Sequence, residues 1–195
     1  VDEPDFGLYP RRGGPRWRSN PHNPTGRLAA DDEHAAVWDE AFYPLATGCW
    51  TRGDGGAVVV GSLTKLLACP GLRIGYLLAN DVDRFRAGQA AWSVNGLAAA
   101  ALPDLLERVD LRRWSSAIRS LRAQLGDVLR RAGLGPEPSD ANFVLVRAPG
   151  LRERLAPFGV LLRDCASFGL PDHVRIAVPG GAGLARLEEA LCAAG

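Results

Sequence analysis

A long amphipathic stretch near the middle of the chain constrains the fold more than any other feature. Between residues 104 and 131 the apolar side chains recur at spacings of three and four, which on a helix places them on one face. These side chains are Leu111, Trp114, Ile118, Leu121, Leu125 and Val128. Gly133, and Gly135 with Pro136, end the helical pattern. We therefore expect one long helix over residues 104–131 that separates the chain into two parts.

The first part of the chain alternates short apolar runs with polar loops, a pattern that predicts α/β layers. We expect a loop over residues 1–26 with a short strand at 16–19, and a short helix over 29–36 whose first turn is acidic. Strands are expected at 37–39, 57–61 and 73–78. Residues 62–71 are expected to form a loop or a short helical turn between the last two strands.

The second part reads as a smaller α+β unit. Short strands are expected at residues 142–146, 159–163 and 173–178, followed by a helix over 182–193. We therefore divide the chain into part of a large domain, residues 1–107, and a small C-terminal domain entered through the long helix, residues 108–195.

Charge and composition exclude several classes of function. The 23 basic and 22 acidic residues give a net charge of +1, so neither a nucleic-acid partner nor a basic partner is indicated. Apolar runs are far shorter than the roughly 18 residues of a membrane helix, so no membrane partner is expected. Three histidines and four cysteines are scattered, which predicts no metal site, no disulfide framework and a cytoplasmic location. The cysteines are Cys49, Cys69, Cys165 and Cys192.

Lysine usage is unusual, because Lys65 is the only lysine among the 23 basic residues. Arginine stays protonated near neutral pH, whereas a lysine amine can become neutral and react. A single lysine in an arginine-rich chain is therefore a candidate for chemistry that needs an amine. Composition alone does not separate this interpretation from chance.

Four short motifs follow one another along the first part of the chain. They are Asn-Pro-His-Asn-Pro-Thr-Gly at residues 20–26, Asp-Glu-Ala-Phe at 39–42, Ser-Leu-Thr-Lys at 62–65 and Pro-Gly-Leu-Arg at 70–73. Each motif alone is weak, since Asn and Pro favour turns and Ser-x-x-Lys also occurs in penicillin-binding enzymes.

Together, and in this order, the four motifs resemble the fold-type I pyridoxal-phosphate-dependent enzymes, the aspartate aminotransferase superfamily. The resemblance implies a large domain with a mixed, mostly parallel sheet, a small α+β domain, and pyridoxal 5′-phosphate as cofactor. It also implies that Lys65 is the catalytic lysine that forms an imine with the cofactor aldehyde. By the same resemblance, Asp39 keeps the ring nitrogen protonated and Asn23 donates to the phenolic oxygen of the ring.

The same resemblance implies the groups that bind anions. Ser62 and Arg73 match the residues that hold the cofactor phosphate, and Arg175 matches the arginine that binds the substrate carboxylate. Arg163 is our candidate for a second arginine that binds a substrate phosphate. Taken singly, the arginines could be surface cations or ion-pair partners and Asp39 a turn cap. Their joint occurrence in this order favours the functional interpretation.

Three segments narrow the resemblance within the superfamily. Residues 39–42, 91–96 and 162–170 look like the branch that holds histidinol-phosphate aminotransferase and threonine-phosphate decarboxylase. Most aminotransferases have tyrosine where Phe42 stands. Asp-Glu-Ala-Phe at 39–42 together with Trp-Ser-Val-Asn at 92–95 resembles more closely the decarboxylases of cobalamin biosynthesis, which are lyases. Transamination of a histidinol-phosphate type of substrate, a transferase reaction, is the alternative. Phe42 and Trp92 are expected in the core or a pocket wall.

Length limits what the resemblance implies. Members of the superfamily are about twice as long, and the matched motifs begin only at residue 20. Their front half supplies a phosphate-binding loop and a stacking aromatic ring, neither of which is visible in residues 1–19. The step of 13 residues from Gly26 to Asp39 is also short for a helix and a returning strand. A truncated, catalytically silent domain is therefore an alternative of another class. Members are usually homodimers, so a homodimer is expected.

Overall fold

A computed structural model describes residues 16–53 and 55–195. Its first sheet has the strand order β1-β2-β3-β4: β1 is Trp17–Ser19, β2 is Val37–Asp39, β3 is Val58–Ser62 and β4 is Gly75–Leu78. The first three strands run parallel and β4 runs antiparallel to β3. The expected mixed, mostly parallel sheet of an α/β protein is confirmed. The part of the predicted loop that precedes residue 16 lies outside the described residues.

The connection from β1 to β2 is not the short helix that the acidic run over 29–36 predicted. The segment forms an irregular loop with one turn, in which the Glu33 amide donates to the Ala30 carbonyl at 3.1 Å. Arg52 stabilises this loop from outside by donating to the carbonyls of Ala30 and Asp31 at 3.0 and 2.9 Å, and Arg18 pairs with Glu33. The prediction was wrong because the contacts made by Arg52 and Arg18, which come from outside the segment, fix it as a loop.

Short helices follow the strands of the first sheet. They are α1 (Tyr43–Thr47), α2 (Leu63–Leu66) and α3 (Asp83–Arg86). A 3₁₀ turn over Pro70–Leu72 joins α2 to β4. The expected turn between the two apolar strands is thus a short helix, and it carries Lys65.

The predicted long helix is two helices, α4 (Gly96–Glu107) and α5 (Leu111–Arg131). Asp110 begins α5 as its N-cap, accepting from the Arg113 amide at 3.0 Å, so residues 108–110 are not helical. The prediction of continuous helix over 104–131 was wrong there because an aspartate N-cap starts a new helix. The apolar face predicted for 111–128 lies within α5.

The second sheet is antiparallel, with the order β5-β7-β6. Its strands are β5 (Phe143–Arg147), β6 (Arg163–Asp164) and β7 (His173–Ala177), and its helices are α6 (Leu151–Leu155) and α7 (Gly181–Ala193). The predicted strand over 159–163 is reduced to β6. Its first residue, Gly159, instead ends a 3₁₀ turn at a φ of +72°, a left-handed conformation that stops an extended strand.

Each sheet has its own apolar core. The larger core lies between one face of the second sheet and helices α5 and α7, and includes Leu125, Leu129, Val144, Ile176 and Leu187. The smaller core lies beside the first sheet and joins Leu45, Leu63, Leu66, Ile74, Ala98 and Leu111. Helix α5 contributes to both cores. The domain division at residues 107 and 108 remains a prediction.

An exposed apolar segment follows β4. Every residue from 81 to 97 is exposed, and Trp92 and Leu97 keep 97% and 78% of their surface in contact with solvent. The expectation that Trp92 lies in the core or a pocket wall is therefore wrong for this chain. Its neighbourhood is a surface that no other part of the described chain covers.

Membrane spans, metal sites and disulfides were each considered for the described residues. Among the described helices, none combines the length and apolarity needed to span a membrane. Within residues 16–53 and 55–195 no group of three or more His, Cys, Asp or Glu side chains could hold a metal ion. All four cysteines are free thiols.

Candidate active site

The predicted site residues of the first part collect at one edge of the first sheet. Strands β1, β2 and β3 are parallel and in register, with Ser19 beside Asp39 and Asp39 beside Val60. Their carboxyl ends therefore meet at the same edge, where ligands bind in open parallel sheets. The loops that leave this edge carry the motifs at 20–26, 39–42 and 62–65.

The Asn-Pro loop is tied to the neighbouring strand. The Asn20 amide donates to the Asp39 carbonyl at 2.8 Å, and its buried side-chain oxygen accepts from the Ala29 amide at 2.9 Å. The Asn23 amide donates to the Ser19 hydroxyl at 3.1 Å. These bonds fix the loop so that the Asn23 side chain reaches toward the second sheet.

Two neighbouring carboxylates end β2 in different surroundings. One oxygen of Asp39, Oδ1, accepts from the Ala41 amide at 3.0 Å, which is the turn cap considered above. Glu40 is fully buried and accepts from the Arg52 amide through both oxygens, at 3.2 and 3.3 Å. Glu40 thus holds the loop around residue 52, while Asp39 lies at the sheet edge.

Lys65 projects from α2 toward the loop after β2. Its Nζ lies 5.2 Å from the centroid of the Phe42 ring, a cation–π contact. No hydrogen bond or ion pair joins Lys65 Nζ to any other residue in the described part of the chain. The amine is therefore open to a ligand on its remaining sides, and the contact with Phe42 brings it beside the loop that begins at Asp39.

The predicted phosphate-binding groups lie together on the flank of this edge. The hydroxyls of Ser62 and Thr64 are 2.8 Å apart, and the Leu63 amide donates to the Ile74 carbonyl at 3.1 Å, which brings Arg73 beside the start of α2. Arg73 has a φ of +48°, a left-handed conformation that is costly for a residue with a side chain. Its exposed guanidinium donates to the Pro70 carbonyl at 3.2 Å, so it stays within reach of an anion.

Arg175 comes to the same site from the second sheet. The alternation of β7 puts Val174 and Ile176 into the helix-covered core and Arg175 on the opposite face. There its Nη1 donates to Oδ1 of Asn23 at 2.5 Å, and its guanidinium lies 4.7 Å from the centroid of the Phe143 ring. The structure thus brings two predicted residues, 152 positions apart, into direct contact.

The charge of Arg175 has no acidic counterpart in the described chain, where no salt bridge to it is formed. Burial lowers the pKa of its guanidinium from the ordinary value, while the Cys165 thiol opposes this shift and the charge of Arg163 adds to it. A partly buried cation without a counter-charge is costly, and a bound anion offsets that cost.

Arg163 lies directly opposite Arg175 in the pairing of β6 with β7. Its exposed guanidinium is 5.9 Å from the centroid of the Phe168 ring and donates to the Ser167 hydroxyl at 3.4 Å. Two like charges side by side on one sheet face repel each other, and an anion between them removes the repulsion.

Phe143 is the residue of this site that the sequence did not reveal. It is 2% exposed, and its ring meets the Phe42 ring edge-on, with centroids 5.2 Å apart and an angle of 80° between the planes. Lys65, Phe42, Phe143, Arg175 and Asn23 therefore form one continuous series of contacts. An aromatic residue in an apolar strand carries no signal beyond packing, so sequence reasoning had no means of finding it.

The donor set fits a cofactor of the pyridoxal-phosphate type. The Lys65 amine contacts Phe42, on the loop that begins at the strand-end carboxylate of Asp39, and two hydroxyls and the Arg73 guanidinium belong to the segment 62–73. These groups match an aldehyde, a basic ring nitrogen and a phosphate. Fold and site together define an α/β protein with a lysine amine at the carboxyl edge of its sheet.

The family model for aminotransferase class I and II matches residues 17–192, so the chain belongs to that family. A histidinol-phosphate aminotransferase from Symbiobacterium thermophilum is 34% identical over 197 residues, which cover 89% of this chain and 55% of the relative. The chain thus spans about half the length of the curated relatives it matches.

Solved structures agree with the fold. The L-threonine-O-3-phosphate decarboxylase of Porphyromonas gingivalis superposes with a TM-score of 0.72 at 28% identity, over 91% of this chain and 63% of that one. The histidinol-phosphate aminotransferase of Sinorhizobium meliloti, solved in complex with pyridoxal-5′-phosphate, has a TM-score of 0.74 at 21% identity, over 91% and 56%. The expected family is confirmed, and with it pyridoxal 5′-phosphate as the cofactor that the family indicates.

Proposed function

We propose that the chain carries the reactive lysine and the substrate-binding arginines of a pyridoxal-phosphate-dependent enzyme that acts on a phosphorylated amino acid or amine. One observation supports the proposal most strongly. Lys65, the single lysine of the chain, has no hydrogen bond or ion pair among the described residues, and a series of ring contacts connects it to Arg175 and Asn23. A lysine with a purely structural role does not require such a connection to a partly buried arginine.

The roles of the residues follow from their chemistry. When bound, the cofactor supplies an aldehyde and a ring that accepts electrons from a bond broken at the substrate α-carbon. Lys65 Nζ would bind the aldehyde and would hold or move a proton at the substrate α-carbon. The Asp39 carboxylate would hold a proton on the ring nitrogen. Ser62, Thr64 and Arg73 would hold the phosphate by hydrogen bonds.

The two arginines of the second sheet orient the substrate in this proposal. Arg175 binds the carboxylate or a phosphate, with Asn23 fixing its guanidinium, and Arg163 binds a second anionic group. Because the bond that breaks is the one held perpendicular to the ring, the angle that Arg175 imposes on the substrate decides between loss of CO₂ and transfer of the amine.

Two reactions satisfy this arrangement. The curated relatives named histidinol-phosphate aminotransferase favour transamination. The motifs at 39–42 and 92–95 favour the threonine-phosphate decarboxylases of cobalamin assembly, by the resemblance described above, and one structural neighbour carries that activity in its name. Both substrates bear a phosphate, so both explain a second arginine opposite Arg175.

We also propose that the enzyme works in the cytoplasm as a homodimer, with the exposed segment around Trp92 and Leu97 as part of the interface. Large apolar side chains exposed on one surface mark interaction sites, and the four free thiols suit a reducing compartment. Light scattering of the purified chain tests the dimer: Trp92→Ser should shift the mass toward the monomer, whereas an unchanged mass contradicts this part of the proposal.

A spectroscopic titration tests the enzyme proposal. Purified protein mixed with pyridoxal phosphate should develop the visible absorbance band of the lysine-bound cofactor, and Lys65→Arg, which keeps the charge, should not. Identical spectra for the two proteins would indicate a catalytically silent domain instead.

Substrate assays then separate the two reactions. Threonine phosphate should release CO₂ if the chain is a decarboxylase, and histidinol phosphate should transfer its amine if it is an aminotransferase. Arg175→Gln should weaken either substrate at least about tenfold, because a charge-assisted contact contributes roughly 1.5–3 kcal/mol.

A further inference from the structure

We infer that Phe143 is a positioning residue that supports both cationic groups of the site, the Lys65 amine through Phe42 and the Arg175 guanidinium directly. The inference rests on the proposed function, because it assigns Phe143 to the site built by Lys65 and Arg175. It names a residue that belongs to none of the sequence motifs.

Phe143 lies between two side chains of the site. The Phe143 ring contacts two site groups that come from different sheets: Phe42, from the loop after β2, with centroids 5.2 Å apart, and Arg175, from β7, with its guanidinium carbon 4.7 Å from the centroid. Phe143 is the first residue of β5 and is 2% exposed, so its ring has little freedom to move. One fixed ring therefore determines the position of a second ring and of a guanidinium.

The two rings also interact electrostatically with the two cationic side chains. The face of an aromatic ring is negative and its edge positive, so rings attract cations to their faces and each other edge to face. Lys65 Nζ is 5.2 Å from the Phe42 centroid, and the edge-on arrangement of Phe42 against Phe143 is the favoured one. The two rings contact the two cationic side chains, and among the described residues no carboxylate pairs with Arg175 and would compete there with a substrate anion.

Packing alone does not explain the arrangement. Val144, the next residue of the same strand, is 3% exposed and lies in the large core between the second sheet and α5 and α7. Phe143 points to the opposite face, where its ring contacts Phe42 and the Arg175 guanidinium. A substitution at Val144 therefore reports the effect of a packing change in β5 alone, whereas a substitution at Phe143 also changes the contacts of the site.

The first experiment uses the single lysine and needs no cofactor. An amine-selective acylating reagent at pH 8 labels Lys65 and the chain N-terminus, which peptide mass spectrometry distinguishes. A cation–π contact contributes about 0.5–1 kcal/mol, so its loss should raise the labelling rate of Lys65 roughly two- to fivefold. We expect this increase in Phe42→Leu and Phe143→Leu, a rate near that of the wild type in Phe143→Tyr, which keeps the ring, and none in Val144→Ala.

The second experiment measures the affinity of the full chain for O-phosphothreonine by calorimetry. Phe143→Leu should weaken binding about fivefold or more, because Arg175 loses the ring that orients it, and Phe143→Tyr should restore most of the affinity. Val144→Ala should bind as the wild type does. If Phe143→Leu does not fold, as judged by circular dichroism, Phe143→Met fills a similar volume without a ring and takes its place.

The outcomes distinguish this inference from the proposed function. If Phe143→Leu or its replacement behaves like Val144→Ala in both measurements, Phe143 has only a packing role and the inference is overturned. If the wild type forms no visible band with pyridoxal phosphate but the labelling rates and affinities change as expected, the proposed function fails and the positioning role stands.

Discussion

The two sheets of this protein bury different amounts of apolar surface. The second sheet places Val144, Val146, Val174 and Ile176 against α5 and α7 in a core whose members are at most 9% exposed. The first sheet has a smaller core and is followed by seventeen consecutive exposed residues, 81–97. The larger share of the buried apolar surface therefore lies in the second region, whereas the first region presents loops and apolar side chains to solvent.

This difference matches the division of the proposed chemical roles. Lys65, on α2, and the strand-end carboxylate of Asp39 belong to the first region, on segments that leave a sheet edge. The second region contributes side chains from a single sheet face, Phe143 and Arg175, whose backbone is held from behind by the large core. Rigid support on one side and open loops on the other are what a site needs to orient a substrate and still admit it.

The largest difference between the regions should appear in leucine truncations. Leu129, fully buried in the large core, should cost about 2–5 kcal/mol of unfolding free energy when changed to Ala. Leu97, which is 78% exposed, should cost no more than about 0.5 kcal/mol in the same substitution. Urea denaturation at a protein concentration where the chain is monomeric measures both. Equal losses would show that the segment around Leu97 is covered, which would break the comparison.

A smaller effect should follow from weakening the contact between the regions. Gly26 has a φ of +78°, and its carbonyl accepts from the Asp140 amide at 2.8 Å. A Cβ at this position would lie 2.0 Å from the Ser139 hydroxyl oxygen. We expect Gly26→Ala to destabilise the protein by about 1–3 kcal/mol through backbone strain and displacement of Ser139.

Gly53 provides the matched control for that measurement. Its φ is +73°, yet a Cβ there would meet no atom within 4 Å. Gly53→Ala should therefore show the cost of the left-handed backbone alone, and the excess cost at Gly26 reports the contact between the regions. Equal losses in urea denaturation would mean that this contact contributes nothing.

The smallest effect concerns pH and belongs to the first region. Burial, and then the charge of Glu40, raise the pKa of Tyr76 to about 12 from 10.0. Because the folded state keeps its proton to higher pH than the unfolded state, stability is fully present below about pH 10 and falls as pH rises toward 12. Tyr76→Phe should flatten the fall in urea midpoint over this range, at the cost of the bond to the Trp50 carbonyl. If the urea midpoint of Tyr76→Phe falls with pH as much as that of the wild type, groups other than Tyr76 cause the loss of stability.

The sequence predicted the fold class and the strands near their observed bounds, because hydrophobic runs and turn residues are local signals. It failed over 29–36, at 108–110 and over 159–162, where side chains distant in sequence, a helix cap and a glycine in a left-handed conformation decide the backbone. The prediction for Trp92 was wrong because the sequence around an exposed tryptophan does not distinguish it from a buried one.

For the site, the structure places Asn23, Asp39 and Lys65 on segments at one edge of the first sheet and Arg175 on β7, while the roles predicted for them stay predictions. The contact between Asn23 and Arg175 could be expected only once the family was known. Phe143 could not be found, because β5 is buried on both faces and its continuous apolar run hides which face meets the helices and which meets the site.

The most direct test of the account is to locate the cofactor on the chain. Pyridoxal phosphate is added to the protein, the product is reduced with borohydride, and the chain is mapped by peptide mass spectrometry. The account predicts the phosphopyridoxyl mass on the peptide that contains Lys65, at about one group per chain. A label confined to the N-terminal amine, or no label, would contradict it.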